Sequence, residues 1–185
     1  MKRSLKALPL FFAAILILAV SIFKTAAVKY VFSQAPSPSP ETPQVVKVNY
    51  YLPEPGLTPE DALWPVQALI DMGELTSEAY LENADMRLVA GEQMFDSGKV
   101  EKAVLVFEKA ELYLRQSYES ATVDELYTIS LASLKHRQVL ETILVRVPED
   151  GRATVARILD IPKTVYLDSA SDLVDAGLGA PEYPF

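Results

Sequence analysis

The chain is predicted to be all-α: a small helical bundle built on an antiparallel helical hairpin, preceded by an N-terminal membrane helix and a Pro-rich linker. Three observations lead there. From Leu52 onward, apolar residues recur at spacings of three and four rather than alternating. Each periodic stretch is bounded by helix punctuation: Thr58 with Pro59, Gly73, Thr76, Gly98, Thr122 with Glu125, and Pro148. Strand-like alternation is confined to Val45, Val46, Val48, Tyr50 and Tyr51, and one strand alone makes no sheet.

Composition narrows the chemistry. The chain has 185 residues, 50% of them hydrophobic, 23% charged and 9% aromatic, which suits one globular domain plus targeting and linker segments. It has no cysteine, which excludes a disulfide framework, thiolate metal centres, a cysteine nucleophile and a lipidated cysteine. The net charge of −8 is a sum of opposites. Residues 1–50 hold six cations against Glu41 alone, giving +5, and the rest holds 11 cations against 24 anions, giving −13. A domain of that sign repels phosphate backbones, so no nucleic acid partner is expected.

At the amino end, Lys2, Arg3 and Lys6 precede an apolar run from Ala7 to Phe23 broken only by Pro9 and Ser21. As a helix this run rises about 26 Å, close to the roughly 30 Å hydrocarbon core and longer than a usual signal-peptide apolar region. Lys24 can snorkel, extending the span through Val28. Residues 1–30 therefore read as a signal anchor, a single membrane span with the C-terminal domain outside the cytoplasm. A cleaved signal peptide and a secreted product form the alternative, with small residues at Thr25 and Ala27 or at Ser33 and Ala35. Residues 31–49 form an extracytoplasmic linker. Its core, Ser33 to Pro43, alternates Pro with Ser and favours extended polyproline II, reaching roughly 34 Å from the bilayer.

Residues 50–147 make up the helical domain. Its first helix starts at N-cap Thr58 with Pro59, Glu60 and Asp61 in the first turn, buries Leu63, Val66, Leu69 and Ile70 beside Trp64, and ends at Gly73. The second runs from about Thr76 to Ser97 with Gly98 closing it, and turns Tyr80, Ala84, Leu88, Gly91 and Phe95 inward. The third follows Lys99 with the stripe Ala103, Phe107, Ala110, Leu114 and Ser117. So short a turn makes these two an antiparallel hairpin, and small residues at Ala84, Gly91, Ala103 and Ala110 allow close approach. The hairpin resembles one tetratricopeptide unit, but shifting by 34 residues puts Glu125, Arg137, Glu141 and Leu144 at the consensus places, so no repeat array is expected. The fourth helix starts at a capping box, Thr122 with Glu125, runs to about Val147, and presents Leu126, Ile129, Ala132, His136, Leu140 and Ile143. Residues 148–185 should form two short helices, Arg152 to Leu159 and Lys163 to Ala176, separated by Pro162. These pack through Val155, Ile158, Leu159, Val165, Leu167 and Leu173 and are followed by a loose tail.

The stripe places the only histidine, His136, on a buried face. A metal ligand or general base is the sharp reading of such a residue, but no carboxylate lies three or four residues away on the same helix. A histidine hydrogen-bonded at the edge of the core is the expectation. Glu78 with Glu82, and Glu108 with Glu111, read as solvated helix faces. No catalytic, cofactor-binding or metal residue is assigned, and no cofactor is expected.

Several stretches carry a family resemblance: Tyr51 to Glu60 with its Pro-Gly-Leu-Thr-Pro core, Leu63-Trp64-Pro65, Ala84 to Leu88 with Gly91, Ser97-Gly98-Lys99, Lys109-Ala110-Glu111, and Lys135 to Glu141. From about Tyr50 to Leu144 the chain resembles the bacterial domain-of-unknown-function family 5667. The resemblance implies an exported or membrane-attached helical domain and brings no catalytic residues with it. The functional expectation is a non-enzymatic, membrane-tethered extracytoplasmic module that binds a protein, such as an envelope protein, or another envelope component. The alternative is an exported domain that binds a ligand or cation through its acidic face.

Overall fold

The computed structural model describes residues 48–55 and 76–182. The expected membrane helix, nearly all of the linker and the first helix from Thr58 to Gly73 lie outside the described residues. Four helices follow one another: α1 (Ser77–Asp96), α2 (Val100–Glu119), α3 (Val123–Arg146) and α4 (Glu149–Asp175), with no strand among the described residues. The described residues build an all-helical structure, as the periodicity requires.

Helix ends obey local chemistry. Thr76 caps α1 by accepting the Ala79 N–H at 3.3 Å. Gly98 closes it at φ +81, a left-handed conformation that side chains resist, while the Lys99 N–H returns to the Met94 carbonyl at 2.9 Å. At the start of α3, the Thr122 N–H donates to Glu125 Oε2 at 2.7 Å. These bonds from Thr122 hold the Glu125 carboxyl below its usual range. No helix among the described residues is long and apolar enough to cross a membrane.

The C-terminal region departs from expectation. In place of two short helices broken at Pro162, α4 is one helix of 27 residues with Pro162 inside it. A proline interior to a helix costs about 3 kcal/mol through a lost hydrogen bond and a clash with the preceding turn. Packing outweighs that cost: Ile158 and Leu159 before the proline and Val165 and Ser169 after it are all buried. Leu167, expected inward, instead projects outward at 65% exposure. Within the tail, Pro181 is held in place, because Tyr166 donates its hydroxyl proton to the Pro181 carbonyl at 3.0 Å.

The four helices form two hairpins, α1 with α2 and α3 with α4. They stack so that α1 lies on α3 and α2 lies on both α3 and α4, while α1 and α4 do not approach. Contacts at matching ends set the directions. Arg146 pairs with Asp96 at 2.6 Å, joining the ends of α3 and α1, and the Tyr118 hydroxyl donates to Asp172 at 2.8 Å near the ends of α2 and α4. Each pair therefore runs parallel. The inward stripes of α2 and α3 are buried throughout, and on α1 Ala84, Leu88, Gly91 and Phe95 are buried while Tyr80 is only partly covered.

The core divides into two apolar clusters. The larger holds Leu88, Phe95, Phe107, Leu140, Ile143, Val155 and Ile158 among others. The smaller holds Leu81, Ala84, Leu114, Ile129, Ala132 and Val165. At the α1–α2 contact, Gly91 lies flat against Phe107: a Cβ on Gly91 would stand 2.6 Å from Phe107 Cε1. Gly91→Ala should therefore destabilise the fold by about 1–3 kcal/mol, the usual cost of overpacking. Chemical denaturation would show this as a lower midpoint at an unchanged slope.

Candidate functional site

Each of the first three helices contributes one charged residue at the boundary between the clusters. In α1, Asp85 follows Ala84 and precedes Leu88. In α2, Glu111 lies between Ala110 and Leu114, and in α3 His136 lies between Ala132 and Val139. Neighbours on either side belong to different clusters, so the three form a polar layer within the core.

Their geometry is closed. His136 Nδ1 stands 2.9 Å from Glu111 Oε1, and Nε2 stands 2.9 Å from Asp85 Oδ1. His136 and Glu111 are 0% exposed and Asp85 is 4% exposed. With both carboxyls ionised their oxygens only accept, and both contacts are then satisfied when both ring nitrogens donate, which is the imidazolium form. Burial pulls the imidazole pKa down, but the Glu111 charge and the bonds to Asp85 and Glu111 outweigh it and hold it at about 10. Burial in turn pushes the Glu111 carboxyl above its usual range, against the pull of His136.

A chain segment outside the helices completes the layer. The Tyr50 hydroxyl donates to Asp85 Oδ2 at 2.6 Å. Burial and the Asp85 charge push that phenol well above its ordinary pKa, so it stays a donor at any physiological pH. Two residues beyond Asp85 on α1, buried Arg87 donates through Nη1 to Asn83 Oδ1 at 3.1 Å, and its guanidinium lies 4.5 Å from the centre of the Tyr113 ring. Two buried cations, His136 and Arg87, thus accompany two buried carboxylates. Glu111 Oε2 has no hydrogen-bond partner among the described residues.

This arrangement constrains the chemistry available. A general base or metal ligand needs a ring nitrogen with a free lone pair facing its target, and both nitrogens here face carboxylates. Among the described residues, no group of three or more His, Cys, Asp or Glu side chains is placed to hold a metal ion. What the layer can do is fix register. Two 2.9 Å bonds to one rigid ring are met only when α1, α2 and α3 hold one axial alignment, and a slip of one turn leaves a charge buried without a partner.

The sequence placed some of these residues and missed others. His136 is buried and hydrogen-bonded as expected, although in the middle of the core rather than at its edge. Glu111, grouped with Glu108 as a solvated face, is fully buried, while Glu108 pairs with Arg157 at 3.0 Å. Glu78 and Glu82 are exposed as expected. The partners of His136, Glu111 and Asp85, stand 25 and 51 residues away on other helices, so spacing along α3 does not reveal them, and Tyr50 and Arg87 join through Asp85 and Asn83 rather than through the histidine. The available signal was an acid directly following a small inward residue, Asp85 after Ala84 and Glu111 after Ala110, on two helices that must face the histidine. Comparison of the chain with family models, curated proteins and solved structures finds no match.

The layer yields two predictions. His136 has a folded pKa raised from 6.5 to about 10, so its stabilisation is complete below about pH 6.5 and is lost as pH rises through about 10. Thermal melts should show a falling Tm across that window, and His136→Gln should flatten the slope. Asp85→Asn should cost about 2–3 kcal/mol by removing one of the two carboxylate charges that face the buried imidazolium, and Tyr50→Phe only about 1–2 kcal/mol, with equilibrium denaturation as the measurement.

Proposed function

We propose that the chain is a non-enzymatic, membrane-tethered interaction module, held outside the cytoplasm by its N-terminal span and Pro-rich linker to engage an envelope protein. The observation that carries this reading is the closure of the polar layer. The chain's one histidine and its buried carboxylates bind one another rather than opening to solvent, so their chemistry serves architecture and recognition falls to the outer surface.

The junction with the linker supports a tethered role. Val48 is buried, Tyr50 packs against the smaller cluster and bonds Asp85, and Leu52 packs against the larger cluster. The segment that leaves the linker is therefore fastened across both clusters. A pull on the tether would act on the most strongly bonded layer of the domain rather than on a fraying helix end.

Fractionation of cells expressing the full chain tests the reading. It predicts that the protein stays in the membrane pellet after an alkaline wash, that external protease removes the domain, and that mass spectrometry finds an uncleaved amino terminus. A soluble product cut after Ala27 or Ala35 would contradict the anchor, and protection from external protease would contradict the orientation.

A further inference from the structure

The ends of α2 and α4 converge with the start of α3 around a shallow recess of about 370 Å³, lined by Tyr118, Glu119, Ala121, Val123, Leu126 and Asp172. Its floor is apolar and partly open: Val123 and its neighbour Tyr127 on the same face of α3 are each 48% exposed. Its rim is acidic. Tyr118 donates to Asp172 and also feels the charge of Asp168.

The charge here has one sign. Gln116 to Tyr127 carries Glu119, Asp124 and Glu125, and Thr164 to Glu182 carries Asp168, Asp172, Asp175 and Glu182, with no Lys or Arg in either stretch. Glu119, Asp168 and Asp172 enter no ion pair with a described residue. The opposite end of the bundle is mixed, with Arg146 on Asp96 and Arg152 on Glu149.

Helix dipoles deepen the field. The carbonyl ends of α2 and α4 both point here, where basic residues are favourable, yet neither helix has one in its last turn. The amino end of α3 is already matched by Asp124 and by Glu125 of the capping box. Folding alone gains nothing from acids at two converging carbonyl ends, and a partner bringing positive charge would relieve them.

From this complementarity we infer that the recess is the docking site for an arginine- or lysine-bearing amphipathic segment of a partner protein. The apolar part of the segment covers Val123 and Leu126, and its cationic group reaches Glu119 and Asp172 across the Tyr118 ring. A long basic side chain has an apolar stem and a charged head, which fits an apolar floor under an acidic rim. The inference rests on the interaction-module reading and names the chemistry of the partner.

The test uses the full chain in nanodiscs and an amphipathic peptide with a leucine face and an arginine edge. Its counterpart with citrulline replacing arginine, and spermidine, serve as competitors. The peptide should bind with a strong salt dependence and shift the resonances of Tyr118, Val123 and Leu126. Glu119→Gln combined with Asp172→Asn should weaken it about tenfold without lowering Tm, and Val123→Ser should weaken it as well. Glu149→Gln with Asp150→Asn, at the other end of the bundle, should leave binding unchanged. Absence of binding, equal affinity in the Glu119 and Asp172 double variant, or displacement by spermidine at matched charge would each overturn the assignment. Because fractionation is read separately, an anchored, outward-facing chain that ignores the peptide would remove the docking site alone.

Discussion

The fold depends on one buried ring between two carboxylates. Asp85, His136 and Glu111 come from three different helices and meet with both ring nitrogens at 2.9 Å, between the two apolar clusters of the core. Burying charge is expensive, and three well-packed apolar residues would often be as stable or more so. The layer contributes uniqueness. Stripes of Ala, Leu, Ile and Phe tolerate several alignments of near-equal energy, whereas the imidazolium accepts only the one that presents both carboxylates.

Other features gather around that layer. It separates the larger apolar cluster from the smaller, so each cluster packs against a fixed polar floor. It receives Tyr50, through which the segment following the linker is tied to α1. It also helps a chain without cysteine hold two hairpins together: α1 lies on α3 and α2 lies on both α3 and α4, and His136 of α3 bonds to both helices of the other hairpin through Asp85 and Glu111.

Much of the architecture was legible because it is local. The boundaries at Thr76, Gly98, Thr122 and Pro148 follow from capping and backbone chemistry within a few residues, and the inward stripes of α2 and α3 follow from 3.6-residue periodicity. Misreadings came where distant contacts decide. Pro162 reads as a breaker from its own sequence neighbours, and only the burial of Ile158, Leu159 and Val165 against other helices keeps α4 whole. Glu111 reads as a surface acid beside Glu108, and only a histidine from another helix makes its burial tolerable. The acidity of the domain as a whole was visible as composition, but the gathering of Glu119 and Asp172 around one recess needed the parallel pairing of α2 with α4.

Architecture and proposed function therefore occupy different parts of the molecule. The interior spends its ionisable chemistry on alignment, and the outside keeps an acid-rimmed apolar recess at the end reached by α2 and α4. The central claim is that His136 is a doubly donating imidazolium at neutral pH. Nitrogen-15 NMR of the histidine ring in the intact chain tests it most directly. The account predicts that at pH 7.5 both ring nitrogens carry protons with protonated shifts, and that these persist until the ring titrates near pH 10. A neutral ring at pH 7.5, with one nitrogen unprotonated, would contradict it.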